Sequence, residues 1–236
     1  MNTRLMALAC MMLTMFVLVM GGTATAQADA LGATVVQPRS AACDGVRTPY
    51  RNAQCATYLT AQWLNARGKG HVVTQTVAVN NMAGVWLDPE TYRLCVFAEF
   101  DQLLQLGVHH CGNKTFFSYK TDGVILKSLN RTVAVLIHES FHGEEEEAGY
   151  MATGVTLTSD VKKVYRYEQG SDCAAGAGFR WLVSRGLRSE ADFAEAYGFM
   201  QSLGASSDHG GGTERAAAFS RGSTAGVAAC YALIAG

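Results

Sequence analysis

The residues best placed to do chemistry are His138-Glu139-Ser140-Phe141-His142, an H-E-x-x-H pattern. On a helix, positions i and i+4 lie one above the other, so both imidazoles can reach a single ion. Glu139 is turned about 100° around the axis, next to whatever coordination position the protein leaves open. Two neutral imidazoles and a carboxylate, with a solvent molecule in the fourth place, suit Zn²⁺. Such an ion acidifies a water, and a neighbouring carboxylate can take up its proton as the water attacks a carbonyl. The pattern therefore points to metal-assisted hydrolysis, with Glu139 as general base.

A third ligand must come from elsewhere. Glu168 and Asp172 stand at i and i+4 on a second helical stretch. One carboxylate of such a pair can bind the metal. The other can accept the N–H of a ligand histidine and so fix its tautomer. Glu168 is assigned to the metal and Asp172 to a histidine, His138 being the favoured one. Four consecutive acids, Glu144 to Glu147, follow the motif and read as a solvated helix end or loop. Tyr150, Tyr165 and Tyr167 are candidates to assist at the developing oxyanion. His71, His109 and His110 have no ligand spacing to the motif.

The elements that must carry these residues follow from periodicity and punctuation. Residues 52–66 form a helix ended by Gly68 and Gly70, and His71 to Val79 and Arg93 to Phe100 alternate as strands. Residues 115–119 and 123–126 flank a turn-like break and read as a β-hairpin, with 123–126 as an edge strand on which an extended peptide could add. Residues 131–142 make a helix apolar on several faces, stopped by Gly143. Residues 166–185 make a second, rich in small side chains. Ser189-x-x-Asp192 is a capping box opening a third, which Gly204 closes, and a last helix runs from Thr213 to about Ala232. Strands followed by helices give an α+β fold, mainly helical in its C-terminal half with a small N-terminal β-sheet.

The whole chain has 236 residues, 19 Lys+Arg against 20 Asp+Glu, and is 49% hydrophobic. It is neither a disordered polyelectrolyte nor a coiled coil, and its balanced charge gives no footing for nucleic acid. Residues 5–20 are almost continuously apolar and are followed by Ala24-Thr25-Ala26 and Ala26-Gln27-Ala28. This reads as a signal peptide over residues 1–28, cleaved after Ala28 or Ala26, with no membrane span left in the mature chain. Residues 29–236 would then form one secreted or periplasmic domain, with 29–110 as an N-terminal part and 111–236 as the core that carries the chemistry. Six cysteines remain, which in an exported chain read as disulfides. Six cysteines allow fifteen connectivities, among which sequence alone does not choose; the expected one is sequential, Cys43–Cys55, Cys95–Cys111 and Cys173–Cys230, which keeps two loops short and ties the C-terminal half together.

The order of motifs resembles a known family. His138 to His142 is followed by Glu168-x-x-x-Asp172-Cys173-x-Ala175-Gly176, Arg185-Gly186-Leu187, Asp192 to Ala196 (DFAEA), His209-Gly210, Arg215, Phe219, Gly222 and Cys230. This series is similar to the bacterial neutral zinc metallopeptidases of gluzincin type, whose second motif reads E-x-x-A-D-C-x-A-G. Ser171 stands where that family has Ala. The resemblance covers roughly residues 131–232. It implies a compact zincin-like domain, a peptide or protein substrate, and a role for His209 as hydrogen-bond donor to the oxyanion, with Arg215 structural. The other readings are an exported binding protein that keeps the zinc without catalysis, and a zinc amidase acting on cell-wall peptides.

Overall fold

The structure is a computed structural model, and it describes residues 34–45, 47–79, 107–119, 121–150 and 160–236. The order of elements is β1 (Thr34–Val35), a 3₁₀ turn (Ser40–Cys43), α1 (Pro49–Ala66), β2 (Gln75–Val79), β3 (His109–Cys111) and β4 (Lys114–Ser118). There follow α2 (Gly123–Leu126), α3 (Leu129–Glu147), α4 (Val161–Ser184), α5 (Glu190–Ser202), α6 (Gly212–Ala225) and α7 (Val227–Ala235). The fold is mixed α and β, mostly helical, with one small sheet of strand order β1-β2-β4-β3. β2 runs parallel to β4, and the outer pairs are antiparallel.

α3 is the central element. Ser128 caps it by accepting from the Arg131 N–H, a contact worth about 1 kcal/mol. Val133, Ile137 and Phe141 are fully buried, each worth roughly 1.5–3 kcal/mol relative to exposure. α4 packs along one side of α3 and α1 along another, while β3 and α5 take further faces. Asp160 caps α4 through the N–H groups of Lys162 and Lys163. The Ser189–Asp192 capping box opens α5 as the spacing predicts. The main core lies among the helices, and a smaller one (Val36, Ala53, Ala78, Phe117, Leu126) sits between the sheet and α1.

Four expectations are corrected. Residues 123–126 are helical, because the Ile125 and Leu126 N–H groups turn back onto the Asp122 carbonyl. The hairpin is instead β3–β4, closed by the two-residue loop Gly112-Asn113. Gly143 does not stop the motif helix, which runs on to Glu147. A Cβ at Gly143 would lie 3.0 Å from both the His110 ring and the Val72 carbonyl, so its glycine lets β3 pack closely. The last helix is two, α6 and α7, divided at Gly226, whose φ of +74° an L side chain rarely adopts. The strand expected over 71–79 is confined to 75–79. That expected over 93–100 lies outside the described residues.

Cys43–Cys55 and Cys173–Cys230 are disulfides, as expected. Cys95, and with it the third expected pair, lies outside the described residues, as do the proposed signal segment and its cleavage sites. No helix among the described residues is long and apolar enough to cross a membrane.

Candidate metal centre

α3 and α4 cross so that His138, His142 and Glu168 face one another, with a ligand atom from each lying within 4.8 Å of the other two. His138 Nε2 is 3.0 Å from Glu168 Oε2, and His142 Nε2 is 3.7 Å from the same oxygen. His209, on the loop before α6, brings its own Nε2 to 3.0 Å from that oxygen. Three imidazole nitrogens, two from α3 and one from the loop before α6, thus converge on one carboxylate oxygen. The His209 loop is held by Gln169, whose side-chain N–H donates to the His209 carbonyl at 2.8 Å.

Each motif histidine is fixed from behind. His138 Nδ1–H donates to Asp172 Oδ1 at 2.8 Å. Asp172 is fully buried and also accepts two bonds from Arg215, Nε to Oδ2 and Nη2 to Oδ1, both 2.8 Å. The structure thus places Asp172 on His138, and gives Arg215 the paired carboxylate that a structural role requires. His142 Nδ1–H donates to Glu145 Oε2 at 2.8 Å, a partner the sequence did not reveal. With both Nδ1 atoms engaged, both Nε2 atoms are turned to the common point, where their lone pairs would be offered to a metal ion.

The first half of the acidic run after the motif is not solvated. Glu144 and Glu145 are fully buried. Glu144 takes a bidentate pair from Arg67 (2.5 and 2.6 Å) and the Tyr231 hydroxyl at 2.8 Å. Glu147 meets Lys69 and His71 at the surface. Glu144 is thus neutralised by Arg67, just past α1, and bonded by Tyr231 of α7, which lets an acid sit inside the fold near the end of α3. Two of the three candidate tyrosines have their hydroxyls engaged: Tyr167 donates to the Tyr150 carbonyl, and Tyr165 to Glu214 Oε1 at 3.2 Å. His109 and His110 are buried in β3, where burial lowers their pKa values to about 4 and about 3.

Burial raises the Glu139 carboxyl, although the histidines around it pull the other way. At Glu168 the balance reverses. Burial pushes it up, but His142, His138 and His209 outweigh that and hold it well below the usual range. Glu139 lines a cleft of about 420 Å³ whose other walls include Val108, Ile125, Phe199, Leu203, His209 and Arg215.

The donor set fits a dication. Glu139, Glu145 and Asp172 are buried, and Glu168 is 15% exposed. Among the described residues, the cationic side chain bonded to this group is Arg215. Four carboxylates against one guanidinium leave a net charge of −3 if the imidazoles are neutral, which a low-dielectric site supports poorly without a compensating cation. Two imidazoles and one carboxylate can hold a metal ion here.

Compared with known proteins, the chain matches no family model, no curated protein and no solved structure.

Proposed function

We propose that this chain is an exported zinc metallopeptidase of gluzincin type, with His138, His142 and Glu168 as the metal ligands. The observation that carries this reading is the convergence of the two Nε2 atoms of an H-E-x-x-H helix with a carboxylate from a crossing helix. The donor set of two imidazoles and one carboxylate favours Zn²⁺ among common dications. The motif series described above supports the zincin-like identity. The disulfides and the apolar segment ahead of the Ala-x-Ala sites support export.

Zn²⁺, when bound, would supply a Lewis acid that acidifies water and polarises a substrate carbonyl. Glu139, facing the cleft beside the ligands, accepts the proton of the attacking water and passes it to the leaving amine. His209 directs an N–H at the negative charge developing on the carbonyl oxygen. Arg215 holds Asp172, and Asp172 holds the His138 ring. The apolar cleft walls accept a substrate side chain, while Gly107 and Val108 lead into β3, one of the two edge strands of the described sheet. A peptide laid along the cleft would pass this strand with its backbone extended. That function of an edge strand, expected of residues 123–126, thus moves to β3.

Glu139→Gln tests the reading. The variant should bind zinc as wild type does and lose cleavage of casein or a peptide library by about 10²–10⁴-fold. Chelator should abolish the wild-type cleavage. Unchanged turnover in the variant would refute the assignment.

A further inference from the structure

We infer that Glu145 is a positioning residue for His142, the counterpart on α3 of what Asp172 on α4 does for His138; this rests on the metal-site reading above. The two carboxylates occupy equivalent places on the two rings. Asp172 Oδ1 lies 2.8 Å from His138 Nδ1, and Glu145 Oε2 lies 2.8 Å from His142 Nδ1. Both acids are fully buried. Glu145 is three residues after His142, so the helix itself brings the carboxylate onto the ring it serves.

The surroundings of Glu145 argue for this role over a merely structural one. Its neighbour Glu144 takes Arg67 and Tyr231 and ties α3 to α1 and α7. Among the described residues Glu145 has no such partner: its hydrogen bonds come from His142 and from Ser171, whose hydroxyl lies 3.4 Å from Oε1. Ser171 Oγ is also 3.2 Å from His142 Nδ1, so the hydroxyl braces ring and carboxylate together. Two further elements keep water away. A Cβ at Gly170 would lie 3.1 Å from Glu145 Oε1 and 2.6 Å from Ile234 Cγ1, so α4 and the terminal α7 close directly over the carboxylate. A buried acid with no cationic side chain on it is costly unless another charge compensates. The group it faces is a ligand ring, through which it can add basicity to the ring nitrogen that points at the metal.

The test compares the full-length wild type with Glu145→Gln, Glu145→Asp and Glu144→Gln. Zinc affinity is measured by competition with a chromophoric chelator, and stability by urea unfolding. Glu145→Gln should weaken zinc binding by about 10–100-fold, and Glu145→Asp should recover part of that loss. Glu144→Gln should lower stability while zinc affinity stays within about twofold of wild type, because the residue it loses touches no ligand. In ¹⁵N-edited NMR of the metal-free protein, the His142 Nδ1 proton should be protected and downfield in wild type and lost or shifted in Glu145→Gln. Wild type that binds zinc while Glu145→Gln binds it equally well overturns the positioning role alone. A wild-type His142 with no protected Nδ1 proton overturns it as well. Wild type that takes up no zinc overturns the metal reading, and the proposal with it.

Discussion

Glu139 is the acid of the site whose carboxylate is not hydrogen-bonded to a neighbour among the described residues, while Glu145, Glu168 and Asp172 are each held by one or more side chains. A carboxylate that must shuttle a proton has to be left free, and those that orient or ligate have to be fixed. His138, His142, Glu168 and Asp172 were legible in the sequence because i, i+4 spacing on two helices is a local property. Glu145 was not. A run of four glutamates reads as a solvated face, and its burial depends on Arg67, Tyr231 and Ile234, which are distant along the chain. Away from the site, Asp192 makes a testable pH prediction. Partial burial raises its carboxyl, but Arg188, the N–H and hydroxyl of Ser189, and Asn130 outweigh this and hold it well below the usual range. A carboxyl lowered on folding stabilises at pH values above its unfolded pKa of about 4, and that stability is lost as pH falls towards the folded value. The stability gap between wild type and Asp192→Asn should therefore be widest at neutral pH and shrink in acid, as read from urea midpoints. A gap that widened on acidification would contradict this.

At the scale of elements, the site is made by two helices in close contact with a third. α4 presents small residues to α6, and the approach is tight in both directions. A Cβ at Gly176 would fall 1.8 Å from the Phe219 carbonyl oxygen, and one at Gly222 would fall 1.8 Å from that of Cys173. Both contacts involve backbone, which has little room to yield. Gly176→Ala should therefore force the helices apart and cost ~1–3 kcal/mol or more, seen as a lowered thermal midpoint. An unchanged midpoint would contradict the packing described. The small-residue stretch of α4 was visible in the sequence, but not the partner it admits. Short apolar runs were the least legible. Gly-Val-Ile-Leu at 123–126 suits a strand or a helical turn equally, and the Asp122 carbonyl decides it. Gly143 and Gly226 show the same ambiguity. One glycine lies inside a helix because another strand packs on it, and the other divides two helices because its φ is positive.

At the scale of the whole molecule, the C-terminal helix closes over the back of the candidate metal centre. Ile234 covers Gly170 and Glu145, Tyr231 reaches Glu144, and Cys230 is bonded to Cys173, the residue after Asp172. The two disulfides differ in the chain they close, with sequence separations of 12 for Cys43–Cys55 and 57 for Cys173–Cys230. Loop-closure entropy gives about 3 kcal/mol for the first and about 4 kcal/mol for the second. Replacing Cys173 and Cys230 by alanine should accordingly lower stability more than replacing Cys43 and Cys55, as measured by chemical unfolding. The reverse order would contradict the account of how α7 is held. The pairing of these four cysteines is the sequential one expected, although order along the chain does not single it out, and the place of α7 against the candidate metal centre was not legible, because nothing local in Val227 to Ala235 specifies a partner.

The proposed function stands on His138, His142 and Glu168 together gripping one zinc ion. Elemental analysis of the purified full chain, dialysed after zinc loading, tests it most directly when run beside Glu168→Ala and the His138→Ala, His142→Ala pair. The account predicts about one equivalent in wild type, a clear loss in Glu168→Ala and none retained in the double variant. Wild type that keeps no zinc, or a double variant that keeps as much as wild type, would contradict it.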